Sequence, residues 1–415
     1  MGDANCRRAG LQRAQNSRNG SSMKLACALT ACAFAALAAC VGDDPAITTP
    51  DPAPGADAAT DTASPPPQDG AVADASTCPQ TTCGTACVDL KTSMEHCGAC
   101  GHTCDNSTCD AGFCKPVLVR DNVAGPVAVT VTAKSVFWLR NGAVERCEAK
   151  SCAGPKLITD DPKVPAQNPG GTIMVTDGSF VAWIAGNFGG MQNVYSCGVG
   201  GCNGASPKAA SGLNDLPTQL AVAGTTLYVT QATGAARGGP MATLAMVGIA
   251  GTGNDIPTGL AVDATNLYLA GALSGSDRGT GRVALAGGTL SPLFSDPDGT
   301  RLALGGTELV ATSTAGIVKC AVAGCGGAPT TLAAADIDTA AIAADAKFAV
   351  WAVPGSPTTA DGSIRVCALP DCKGGPRTIA AGQAQPVSVT VADGFVYWAN
   401  KGVMGTPGSI WRAAL

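Results

Sequence analysis

Beyond residue 116 the chain is a succession of short apolar runs separated by Gly- or Asp-containing turns, and one run-turn-run unit returns many times. Its first copy, Pro126-Val-Ala-Val-Thr-Val-Thr-Ala-Lys-Ser-Val-Phe-Trp138, matches its last, Pro386-Val-Ser-Val-Thr-Val-Ala-Asp-Gly-Phe-Val-Tyr-Trp398, position for position. Intermediate copies begin at Gly171, Pro217, Pro257, Gly299 and Thr339, which makes seven units spaced 40 to 47 residues apart, the period of a four-stranded propeller blade. Each unit continues into a third strand, as in Ala143 to Cys147 or Ser363 to Cys367, and a fourth, as in Pro155 to Thr159 or Pro376 to Ala380. The fold class predicted is all-β: a seven-bladed β-propeller over residues 117–415, with four short antiparallel strands per blade, innermost first.

The last unit stops at Leu415 after its third strand, and an unassigned apolar run, Val117 to Arg120, precedes the first unit. Pairing of that run beside Ile410 to Ala413 is expected to close the ring through the two ends of the domain, removing the open edges that invite aggregation. Four units carry a C-x4-C pair, Cys147/Cys152, Cys197/Cys202, Cys320/Cys325 and Cys367/Cys372, each where the third strand turns into the fourth. Two strand ends joined by so short a turn are expected within disulfide reach. Trp138, Trp183, Trp351 and Trp398 share one position of the unit and are expected between blades, with Trp411 packed in the closing strand. The segments Thr230 to Ala242, Ala270 to Gly281, Ala352 to Gly362 and Ala399 to Gly408 read as long loops between second and third strands, carrying Arg237, Arg278 and Lys401.

The pattern changes before residue 117. Met23 and Lys24 lead into an apolar run to Ala36, then Leu37-Ala-Ala-Cys40, a basic-apolar-small sequence too short to cross a bilayer and read as a secretory signal over 23–39. Residues 1–22, with four Arg and no apolar periodicity, form a doubtful extension ahead of a start at Met23. The Leu-Ala-Ala-Cys stretch resembles the lipobox of bacterial lipoproteins, which implies lipidation of Cys40, and Val41 rather than Asp after it implies the outer membrane, periplasmic or surface-facing. Residues 40–77, rich in Ala, Asp, Pro and Thr, are expected to form a disordered, semi-stiff tether.

Eight cysteines (78, 83, 87, 97, 100, 104, 109 and 114) crowd residues 78–116 with hardly any core-forming side chain, so the segment needs cross-links. Cys83-Gly-Thr-Ala-Cys87 and His96-Cys97-Gly-Ala-Cys100-Gly-His-Thr-Cys104 resemble small Cys-rich modules of secreted bacterial proteins. A zinc site from Cys97, Cys100, His96 and His102 or Cys104 has workable spacing, but export favours disulfides. The propeller itself resembles bacterial seven-bladed propellers of the Tyr-Trp-Thr-Asp (YWTD) and NHL sort, the pair Tyr397-Trp398 echoing the first.

Composition adds exclusions. After removal of residues 1–39 the chain keeps 21 basic and 30 acidic residues, a formal charge of −9 that argues against nucleic acid as a partner. With both histidines at 96 and 102 and every propeller cysteine in a pair, a Ser-His-Asp or Cys-His arrangement cannot be built in the propeller. Polar residues do recur just ahead of the inner strands: Asp121-Asn122, Asn214-Asp215, Asn254-Asp255, Asp296 with Asp298, Asp336 with Asp338, and Gln383 with Gln385. Asp215, Asp255, Asp296, Asp298, Asp336 and Asp338 are therefore candidate binding residues, an acidic collar at the channel mouth able to take calcium or a cationic ligand, against turn formation as the plainer alternative. The functional expectation is a lipid-anchored cell-envelope recognition or scaffold protein that binds a protein, peptide or glycan through one propeller face, held to the membrane by its anchor. The alternative is a His-independent, carboxylate-based glycan hydrolase or lyase at the channel mouth.

Overall fold

The computed structural model describes residues 78, 80–140, 143–150, 152–159, 172–186, 192–251, 257–274, 277–296 and 301–415. The stretch 23–39 read as a signal, Cys40 and the expected tether over 40–77 lie outside them, as do Asp255 and Asp298. Seven four-stranded antiparallel sheets follow one another, and among the described residues there is no helix. Blade 1 comprises Ala128–Val131, Ser135–Arg140, Ala143–Glu148 and Lys156–Thr159, and six blades are consecutive in sequence in this way.

The seventh is the exception that closes the ring. Its strands Pro386–Ala392, Phe395–Asn400 and Gly408–Ala414 are completed by Val117–Val123, with Gly408 opposite Val123, Ile410 opposite Arg120 and Arg412 opposite Val117. The outermost strand of the last blade thus comes from the domain's start. Inner strands of adjacent blades are tied by side chains: Ser388 Oγ accepts from the Val129 amide at 3.1 Å, and Gln219 Oε1 from the Thr172 amide at 2.8 Å.

The core lies between blades. Trp138, Trp183, Trp351 and Trp398 are fully buried, as their shared repeat position requires.

All four C-x4-C pairs are disulfides, Cys147–Cys152, Cys197–Cys202, Cys320–Cys325 and Cys367–Cys372. Their placement corrects the expectation of two strand ends. Cys147, Cys197, Cys320 and Cys367 do lie near the ends of third strands, but Cys152, Cys202, Cys325 and Cys372 stand in the turn itself, ahead of fourth strands that begin only at Lys156, Lys208, Thr330 and Arg377. Each bond therefore closes the turn back onto the third strand and does not staple the third strand to the fourth. The chain needs those further residues to reverse direction: the backbone turns left-handed at Cys372 itself and at Asn203 just after Cys202, and the Gly375 amide closes back onto the Cys372 carbonyl. Blade 3 has no such pair and solves the same turn differently. Met241, Leu244 and Met246 of its third-to-fourth turn are buried into the cluster around blade 2, and Ser196 donates to the Met241 carbonyl at 3.2 Å.

Two of the expected loops are corrected. In blade 3 the third strand is Ala235–Pro240, inside the segment read as a loop from Thr230 to Ala242. Its Ala-Ala-Arg-Gly-Gly-Pro sequence has little β-propensity, but a Cβ at Gly239 would collide with the Ala245 carbonyl oxygen, so the glycine is there for close approach. In blade 4, Asn266–Ser274 and Asp277–Ala284 continue as a long hairpin through the segment expected to loop from Ala270 to Gly281. Arg237 and Arg278 accordingly belong to third strands, whereas Lys401 does lie on a loop.

In the Cys-rich module all eight cysteines pair, as Cys78–Cys87, Cys83–Cys100, Cys97–Cys109 and Cys104–Cys114. The thiolates a zinc ion would need are therefore consumed. Two short hairpins, Thr81–Cys83 with Ala86–Val88 and Cys109–Asp110 with Phe113–Cys114, are its only strands among the described residues.

Candidate functional site

Strand direction sorts the connections onto two faces. The outer-to-inner crossovers and the second-to-third turns share one face, and the first-to-second and third-to-fourth turns share the other. The first face carries the sequence-predicted collar, the second the disulfide turns and the docked module.

On the collar face, the residues three positions ahead of the inner units of blades 6 and 7 work inward, and that of blade 3 is bonded from the exposed side. Asp336 is buried; its Oδ2 accepts from the Trp351 indole N–H at 2.9 Å and its Oδ1 from the Arg365 guanidinium. Gln383 holds the same place one blade on, accepting from the Trp398 indole at 2.8 Å and the Asn400 amide at 2.9 Å. In blade 3 the residue is Asn214, which accepts from Arg237 at 3.0 Å, while Arg237 also donates to Gln231 at 2.7 Å. Blade 1 has Val123 there, and Glu145 of the third strand takes over, accepting from the Trp138 indole at 2.9 Å and from Arg140 at 2.8 Å. A fully buried indole N–H without an acceptor costs about 1–3 kcal/mol, which accounts for an acceptor within reach of three of the four buried tryptophans.

The collar is thereby largely redefined. Asp296 and Asp336 are buried, Asp338 is exposed on its loop and Asp215 lies between these extremes. Among the described residues no three carboxylates bring ligand atoms close enough to share an ion; the one such cluster, Cys97, Cys104 and Cys109, is disulfide-bonded. Asp336 is moreover already neutralised by Arg365. Asp255 and Asp298 fall outside the described residues.

The channel itself is a cavity of about 300 Å³ walled by the inner strands of all seven blades. Ala, Val, Ile and Leu dominate the wall, with Thr, Gln219 and Ser388 between them, and among the described lining residues Arg301 is the one with a charge. No Asp or Glu lines it among them.

Around the mouth the face has apolar tips: Ile337 and Leu216 on crossovers and Met404 on the second-to-third turn of blade 7, 61%, 41% and 80% exposed. The loops are braced. In blade 6, Asp361 accepts from the Ser356 amide at 2.6 Å, a bond that holds its carboxyl below the usual range. A Cβ on Gly355 (φ +67°) would collide with that carboxylate. The Met404 amide donates to the Pro357 carbonyl at 3.0 Å, tying the blade 7 loop to the blade 6 loop.

On the opposite face the module is docked, which no sequence signal indicated. Arg412 of the closing blade, 2% exposed, donates to Asp105 Oδ2 at 3.0 Å and to the Asp105 carbonyl at 3.1 Å, and Lys150 of blade 1 reaches Asp105 Oδ1 at 3.2 Å. Burial pushes the Asp105 carboxyl up, but these two cations outweigh it and hold the pKa below the ordinary value. Arg377 stacks over Phe113 at 4.4 Å, and Cys97, Cys104 and Cys114 share a core with Ala414 and Phe395. Only Lys115 and Pro116 separate Cys114 from the closing strand, so the module both delivers that strand and grips its neighbour.

The molecule is thus a seven-bladed propeller whose ring closure is capped by a disulfide module, an architecture suited to a protein-binding scaffold. Residues 58–117 match the Stigma-specific STIG1-like protein family, a match confined to the module and the residues just before it. No curated protein matches the chain. Among solved structures it is similar to the computationally designed protein Ika8, at 12% identity over 71% of this chain and 98% of that one, with a TM-score of 0.44.

Proposed function

We propose that this protein is a non-catalytic recognition scaffold of the bacterial cell envelope, anchored through a lipidated Cys40 at the outer membrane, that binds a protein or peptide with the loop face of its propeller. The observation that carries the reading is the set of braced loops presenting Ile337, Leu216 and Met404 around the channel mouth. Variable loops on a rigid frame with exposed apolar tips are the usual form of a docking surface. The module occupies part of the other face and none of its described contacts reaches the loops. The carboxylate-enzyme alternative has less support, because Asp336 is committed to Arg365 and Trp351.

Two experiments test the two halves. Cys40→Ser should move the protein from carbonate-washed membranes to the soluble fraction; equal retention refutes the anchor. For recognition, an envelope extract is passed over the wild-type protein and over Ile337→Asp/Met404→Asp. Loss of the captured partner with the double variant, and its retention by Val247→Asp on an outer strand, is the expected result. Retention by the double variant refutes the loop face.

A further inference from the structure

We propose that the crevice between the Cys-rich module and blades 6 and 7 is a binding site for a small carboxylate with an aromatic body. It lies on the face opposite the loop surface and does not rest on the function proposed above.

Sites of this kind form where two folded units meet, as apolar cavities holding a few convergent polar groups. The cavity here measures about 300 Å³. Its apolar wall comes from both sides: Phe113 from the module, and Phe348, Val366 and Ile379 from blade 6. Two cations border it, Lys347 on the first-to-second turn of blade 6 and Arg377 at the start of that blade's outer strand. No Asp or Glu side chain lines it; the one anionic group on the wall is the chain's terminal carboxylate at Leu415, and neither Lys347 nor Arg377 is ion-paired to it or to any described residue. Positive charge beside low-dielectric walls focuses the field on whatever enters.

Arg377 lies over the Phe113 ring with its guanidinium carbon 4.4 Å from the centroid. A guanidinium held by its face keeps the N–H groups of its edge for a bidentate carboxylate. His102 supplies the third polar group. Its Nδ1 is bonded to the Cys97 carbonyl, so Nδ1 carries the hydrogen and Nε2 is left as an acceptor. That Nε2 is buried with no partner, and His102 lines both this cavity and a second of about 540 Å³ beside it. A ligand answering all three features has a carboxylate for Arg377 and Lys347, a flat apolar body for Phe113 and Phe348, and an N–H or O–H to donate to His102.

Indole-3-propionate, which has all three, and its uncharged amide are the probes, titrated by calorimetry into the full chain. The acid should bind at least tenfold more tightly than the amide, a difference of about 1.4 kcal/mol. Arg377→Gln should weaken the acid about tenfold. Because Arg377 also helps to hold the module, Lys347→Gln provides a second variant whose side chain bears on no docking contact; it should weaken the acid several-fold with an unchanged unfolding midpoint. Equal binding of acid and amide, wild-type affinity in both variants, or no heat from the acid up to about 10 mM would each overturn the site.

Discussion

The docking of the module makes Asp105→Ala the most informative single substitution. Arg412 is almost wholly buried and Asp105 is its anionic partner, 307 residues away in sequence. Breaking a fully buried ion pair from one side costs about 3–5 kcal/mol, because the remaining charge stays desolvated. Asp105 retains 20% side-chain exposure, and its backbone carbonyl still accepts from Arg412, which brings the expected loss to about 2–3 kcal/mol. Adding Arg412→Met removes the stranded charge, so the double variant should be more stable than Asp105→Ala alone. Urea unfolding followed by tryptophan fluorescence reads both, since Trp411 and Trp398 stack at 6.3 Å in the same blade. The effect should depend on pH in a set direction. The folded-state pKa of Asp105 is lowered from 3.8, so the stabilisation is complete above that value and disappears as pH falls through the folded-state pKa. A variant within about 0.5 kcal/mol of wild type at pH 7, or a difference that persists unchanged at pH 2, would refute the idea that this pair holds the module to the ring.

Other substitutions probe the rest of the frame. Gln383→Ala strands the Trp398 and Asn400 donors and should cost about 2–4 kcal/mol in the same urea assay. Replacing Cys147 and Cys152 together by Ser should cost at most about 2 kcal/mol, because the closed loop is so short; calorimetry of the oxidised proteins measures it. Asp336→Asn should lower the melting temperature equally with and without millimolar calcium, since its carboxylate serves Arg365 and Trp351; calcium-dependent stabilisation lost in this variant would restore a metal role for the collar.

The blades are legible in the sequence because each must bury the same inter-blade position, which forces Trp138, Trp351 and Trp398 to recur in step. Ring closure is legible from a strand missing after Leu415 and a spare one at Val117, and the pairing of the disulfides from the constant C-x4-C spacing. That spacing does not reveal that Cys152, Cys202, Cys325 and Cys372 stop short of the fourth strands, because the extra turn residues differ in number and sequence from blade to blade. The collar positions are visible too, but their role is not. They vary between Asp, Asn and Gln, as turn residues do, although Asp336 and Trp351, and Gln383 and Trp398, stand the same 15 residues apart; that pairing is the available signal. The third strand of blade 3 is hidden because glycines needed for close approach look like a loop. Nothing periodic links Asp105 to Arg412 or His102 to Arg377, so the docked module and the crevice beneath it emerge only in three dimensions.

Recognition through the loop face, with the module staying docked on the other, is tested most directly by hydrogen exchange of the chain, free and bound to its captured envelope partner. Slowed exchange is expected in residues 334–340, 354–361 and 401–407, with no change at the turns around Asp345 and Asp393 or in the module. Protection confined to those turns and the module, with the loop segments exchanging as in the free protein, would contradict it.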